Sequence, residues 1–118
     1  MAEASTHVTV IDVNDVKRVE FSARKILDEL VINEILTELV ALIESTDGIK
    51  MLLDFENVEH LSSAALGMLI TLKKRTDDAN GQLRLAKISP QIFEVFKITR
   101  LDKLFDIRDT VEDAMGSF

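Results

Sequence analysis

The residues able to do chemistry are few. The chain has two histidines, His7 and His60, and no cysteine. Base-and-nucleophile catalysis would fall to His60 with Ser62 or Ser63, with Asp54 or Glu56 orienting the ring. Nothing in the sequence supplies an oxyanion hole, and no Gly-x-Ser-x-Gly elbow surrounds the serines. Asp54, Glu56 and Glu59 are the one carboxylate grouping that could be weighed as a metal site, and no His/Cys constellation supports it. Gly48, Gly67, Gly81 and Gly116 are scattered, so there is no glycine-rich phosphate loop. The expectation is no catalytic residue, no cofactor and no metal. Asp54 lies inside an apolar run and needs a partner, either a backbone N–H or a side chain in the following turn.

Composition narrows the class. The chain has 118 residues, 47% hydrophobic and 30% charged, with a formal net charge of −7. That is the size of one domain, 1–118, able to bury a core without disulfides. The absence of cysteine fits a cytoplasmic setting. No apolar run approaches the roughly 20 residues needed to cross a bilayer, so direct membrane insertion is not expected. Met1 to His7 carry neither a basic n-region nor an apolar h-region. The densest basic cluster, Lys73-Lys74-Arg75, is followed at once by Asp77 and Asp78, which argues against nucleic-acid binding. It reads as a solvated helix face.

The elements that would position the candidate residues follow from periodicity. β-branched stretches on both sides of Asn14-Asp15 predict a hairpin. Ile32, Ile35, Leu36, Leu39, Val40 and Ile43 predict an amphipathic helix from about Leu27 to Ser45, ended by Asp47-Gly48. Met51 to Phe55 reads as a strand buried on both faces. A helix should run from about Ser63 to Ala79, with Gly81 beyond it. Leu83 and Leu85 mark a strand. Ser89-Pro90 opens a third helix with Ile92, Phe93, Val95 and Phe96 on its apolar face. A strand at Leu104 to Ile107 and a helix at Asp109 to Met115, capped by Asp109, complete the chain. The order β-β-α-β-α-β-α-β-α predicts an α/β fold with a mixed, mostly parallel sheet.

The most informative stretch joins the buried strand to the second helix. Ser62 or Ser63 can cap that helix, Ala64 and Ala65 allow close approach of another surface, and Gly67 costs about 1 kcal/mol relative to Ala. A capped, tightly packed first turn would account for most of this without any function.

This stretch resembles the STAS family (sulfate transporter and anti-sigma-factor antagonist domains). The family mark is a strand ending in Asp, a short loop, then Asp-Ser-Ser/Thr-Gly-Leu-Gly opening a helix. The matching residues are Asp54 and Ser62-Ser63-Ala64-Ala65-Leu66-Gly67. Ile88-Ser89-Pro90, Val95-Phe96 and Leu101-Asp102-Lys103-Leu104-Phe105 also look like that family. The resemblance implies a non-enzymatic, STAS-like module that binds an anti-sigma factor or serine kinase through Asp54, His60, Leu61 and the 62–67 turn. It also implies release by phosphorylation and restoration by a phosphatase. Three positions depart from the pattern: the leading Asp is Ser62, the Gly before Leu66 is Ala65, and the phosphoacceptor falls at Ala64, which has no hydroxyl. Ser63, then Ser62, become the candidate acceptors. An unphosphorylated STAS scaffold subunit of a signalling or transport complex is the alternative. The partner's identity and the oligomeric state are not encoded in any motif.

Overall fold

The structure, a computed structural model, describes residues 2–4 and 7–118; Met1, Ser5 and Thr6 lie outside the described residues. Six strands form the main sheet: β1 (Ala2–Ala4), β2 (Val8–Val13), β3 (Val16–Phe21), β5 (Lys50–Asp54), β7 (Gln82–Ala86) and β8 (Asp106–Arg108), side by side in that order. A separate two-residue ladder joins β4 (Lys25–Ile26) to β6 (His60–Leu61). The helices are α1 (Glu29–Ser45), α2 (Ser63–Asp78), α3 (Pro90–Ile98) and α4 (Val111–Gly116). β1, β2 and β3 are antiparallel neighbours, and β3, β5, β7 and β8 are parallel. The sheet is therefore mixed and mostly parallel, as the alternation of elements predicts.

Local chemistry explains the boundaries. Val13 pairs with Val16, so the hairpin turn has two residues, Asn14 and Asp15, with φ of 50° and 68°. Positive φ at both positions is what a turn matched to strand twist requires, and Asn and Asp tolerate it. The Asp28 carboxylate caps α1 by accepting from the Leu30 and Val31 amides at 2.8 and 3.3 Å. That places the helix start two residues later than the apolar periodicity alone suggests and leaves Leu27 half exposed. Gly48, at φ +67°, receives the chain after α1 in a conformation that side-chain-bearing residues rarely adopt.

The strands present different residues to the two faces of the sheet. On one face Val19, Met51, Leu53, Leu83 and Leu85 meet the buried stripe of α1 (Ile32, Ile35, Leu39, Ile43), together with Met68, Leu69 and Leu72 of α2 and Ile92 and Phe96 of α3. On the other, Val16, Leu52 and Ala86 pack with Ala114 of α4. β5 is thus buried on both sides, as its continuous apolar run predicts.

The C-terminal third departs from expectation in three places. Leu101–Lys103 form a 3₁₀ turn, and the last strand starts at Asp106 rather than Leu104. The turn buries Phe105 against Phe96, with ring centroids 5.8 Å apart, and leaves Leu104 exposed. Thr110, not Asp109, caps α4, its hydroxyl accepting from the Asp113 amide at 3.0 Å. Val95 is not on the buried face of α3, being 41% exposed; the buried residues Ile92 and Phe96 are four apart on one stripe, and Val95 is turned about 100° away from Phe96.

Candidate functional site

The candidate residues gather at the C-terminal end of β5, where the chain leaves the sheet. Asp54 ends the strand with its side chain 2% exposed. One carboxylate oxygen accepts from Arg18 Nη2 at 3.0 Å, and the other accepts from the Glu56 amide at 3.0 Å. The requirement for a partner is met twice: by the following turn, as expected, and by an arginine on the neighbouring strand, which the motif reading missed. The signal was available, since Arg18 and Glu20 share one face of β3 with the apolar Val16, on the strand next to a buried acid.

From Phe55 the chain is held at short intervals. The Phe55 amide donates to Ala86 O at 2.9 Å, the Val58 amide to Phe55 O at 2.9 Å, and the Val58 side chain is buried. Phe55 packs on Phe21 with centroids 5.1 Å apart. The Glu59 and His60 amides both donate to Arg24 O, at 2.7 and 3.1 Å, and the Ser62 amide to Ile26 O at 3.1 Å. The loop is thus stitched to residues 24–26, a long-range pairing between two-residue strands that periodicity cannot reveal.

Ser62 is the N-cap of α2. Its backbone is extended (φ −83°, ψ 170°) and its Oγ accepts from the Ala65 amide at 3.1 Å. Ser63 and Ala64 are the first two helical residues, and both are exposed, as is Gly67. Ala65 is fully buried. Leu61 and Leu66 are half-buried and line a cavity of about 210 Å³ with His60, Gln91 and Val95. On the other side of α2, Ala64, Gly67 and Thr71 face Asn33 and Leu36 of α1 across a groove of about 430 Å³. Among the described residues, a Cβ added at Gly67 would meet no atom within 4 Å outside its chain neighbours and its own helix backbone.

Two members of the expected contact set lie beneath the surface. Asp54 is sealed by the sheet and by Arg18, and Ala65 points into the core because the third helical position faces inward. Neither can touch a partner directly. His60, Ser63, Ala64 and Gly67 form the exposed set, flanked by Leu61, Ser62 and Leu66. Gln91 and Val95 of α3 and Asn33 of α1 join them; these neighbours arise from packing and leave no motif. Among the described residues no hydrogen bond links His60 to Ser62 or Ser63, and no group of acidic, histidine or cysteine residues is arranged to hold a metal. Among the described residues no helix is long and apolar enough to cross a membrane.

A strand-ending acid, a looped return and a serine-capped helix at the C-terminal end of an interior strand of a mixed sheet coincide with a family match: the STAS domain model covers residues 19–114. The chain belongs to the STAS domain family. A STAS-domain containing protein of Pseudomonas aeruginosa is 34% identical over 58 residues, 49% of this chain and 57% of that protein. BtrV of Bordetella bronchiseptica, named as a candidate anti-sigma factor antagonist, is 28% identical over 69 residues, 58% of this chain and 60% of that protein. The matched segments therefore span only 57% and 60% of these relatives' lengths. Among solved structures, an anti-sigma-factor antagonist (STAS) domain protein from Planctomyces limnophilus superposes with a TM-score of 0.85 at 22% identity, covering 93% of this chain and 96% of that one.

Proposed function

We propose that this chain is a protein-binding regulatory module, an anti-sigma-factor antagonist that docks on an anti-sigma factor or serine kinase through the start of α2. The observation that carries this reading is the open space at Gly67. A glycine in a helix interior costs about 1 kcal/mol relative to alanine, and here, among the described residues, no atom beyond its own helix backbone and chain neighbours uses the room it leaves. Ala64, one turn earlier, is exposed and small. A bare first turn flanked by a groove on one side and a cavity on the other suits close approach by another protein. Catalysis has no comparable support, since the Ser62 hydroxyl is engaged in capping and His60 has no bond to either serine among the described residues.

Control by phosphorylation belongs to the same proposal. Ser63 is the favoured acceptor because it is exposed and carries no capping duty, whereas Ser62 accepts from Ala65. A phosphate there adds about −1.5 to −2 charges. The free amides of a helix N-terminus accommodate such charge, so the fold would persist. A closely apposed partner would not tolerate it: a 100-fold loss of affinity needs only about 2.7 kcal/mol. A phosphatase would reverse the effect, in a cytoplasmic cycle.

A second reading is favoured by one residue. Ala64 stands at the position where the family pattern carries its acceptor hydroxyl, which fits an unphosphorylated scaffold subunit of a signalling or transport complex. Mass spectrometry of protein from its native source separates the two. Phosphate at Ser63, together with co-purification of an ATPase-type anti-sigma factor, supports switching. Unmodified serines with a transport ATPase support the scaffold. Recovery of no protein partner by the wild-type chain sinks both.

A further inference from the structure

We infer that Arg18 is a positioning residue for the docking turn, acting through Asp54. Glu20 and Asp54 are directly opposed on the neighbouring strands β3 and β5. Two carboxylates so placed repel one another. Arg18 Nη2 lies 3.0 Å from an oxygen of each. The arginine is on the same strand as Glu20, two residues before it, and so reaches Asp54 diagonally across the sheet.

The arrangement is costly to Arg18 itself. Its Nε is buried and has no hydrogen-bond acceptor among the described residues. A buried unsatisfied donor is normally avoided. The side chain is therefore oriented by the carboxylates rather than by full satisfaction of its own donors. The benefit falls on Asp54. With Oδ2 held by Arg18, Oδ1 is left to accept from the Glu56 amide. That bond sets the direction in which the chain leaves the sheet, eight residues before the exposed Ala64. From Glu56 the path runs through Val58, anchored in the core, to the ladder with residues 24–26. The orientation of the α2 opening thus depends on an ion pair whose carboxylate is buried. The functional meaning of this rests on the docking reading above; the positioning itself does not.

The test is residue-resolved amide exchange on the free protein, so a failure of the docking proposal leaves it intact. In Asp54→Asn the side chain has a single acceptor oxygen, and Arg18 competes with the Glu56 amide for it. Exchange at Glu56 should speed up by about tenfold, the loss of one net hydrogen bond, while amides of β7 and α1 stay unchanged. In the double variant Arg18→Met with Asp54→Asn the competitor is gone and the oxygen returns to Glu56, so protection should recover to within about threefold of wild type. Arg18→Met alone leaves a buried carboxylate without its cation and can unfold the chain; the double variant removes that difficulty. Unchanged Glu56 exchange in Asp54→Asn overturns the inference. So does a double variant as unprotected as the single one, because Arg18 would then have no say in where the oxygen points.

Discussion

Two helices of this protein open in the same way and are used differently. α2 and α3 both follow an extended serine whose hydroxyl accepts from the third helical amide, Ala65 at 3.1 Å and Ile92 at 3.3 Å. At α3 the first position is Pro90, pre-set for the helix, and the third is a large buried aliphatic. At α2 the corresponding residues are Ser63 and the small buried Ala65, followed by Gly67. One opening is built for holding the fold together. The other keeps its cap but gives up side-chain bulk and helix propensity. The lesson is that capping chemistry alone does not mark a functional site; what surrounds the cap does.

The comparison can be broken by substitution. The largest expected effect is at the third positions. Ile92→Ala should destabilise the fold by about 2–5 kcal/mol, read as a lower denaturation midpoint. Next is Ser63→Glu, which should leave the thermal midpoint nearly unchanged yet weaken partner binding at least about 100-fold, a loss of about 2.7 kcal/mol. Equal binding by wild type and Ser63→Glu would remove the charge switch from the proposal. Ser62→Ala and Ser89→Ala should each cost about 1 kcal/mol of stability, similar to one another because the caps are equivalent. A binding loss beyond that stability change should appear for Ser62→Ala only. The smallest effect is Gly67→Ala, which should raise stability by up to about 1 kcal/mol while lowering affinity. A stabilised variant that binds as well as wild type would show that the space at Gly67 has no occupant.

The elements were legible where periodicity and capping agree. The hairpin at Asn14-Asp15, the buried stripe of α1 and the Ser89-Pro90 start could be read directly. So could the strand–loop–helix order at Asp54 to Gly67, because Asp, Ser and Gly each carry a local conformational preference. What was hidden depends on long-range contacts. The ladder between Lys25–Ile26 and His60–Leu61 is too short for an alternation to register. The 3₁₀ turn at Leu101–Lys103 shifts the last strand because Phe105 finds Phe96, a tertiary contact. Arg18 meets Asp54 only through the register of β3 and β5, which no local pattern encodes. Asp54 and Ala65 share the motif with the exposed residues, and only burial separates residues that shape a surface from residues that form it.

The hairpin tip has a practical use. β3 and β5 run parallel with Val16 opposite Lys50 and Glu20 opposite Asp54, so Asn14 and Asp15 lie at the far end of the sheet from Ser63. Five strand residues at about 3.3 Å each separate the two ends by some 17 Å or more. Both tip residues are exposed. A single cysteine introduced at Asp15 would be the chain's only thiol, since the sequence has none. It offers one defined handle for a fluorophore or a sensor surface, with the serine-capped end left facing the solution.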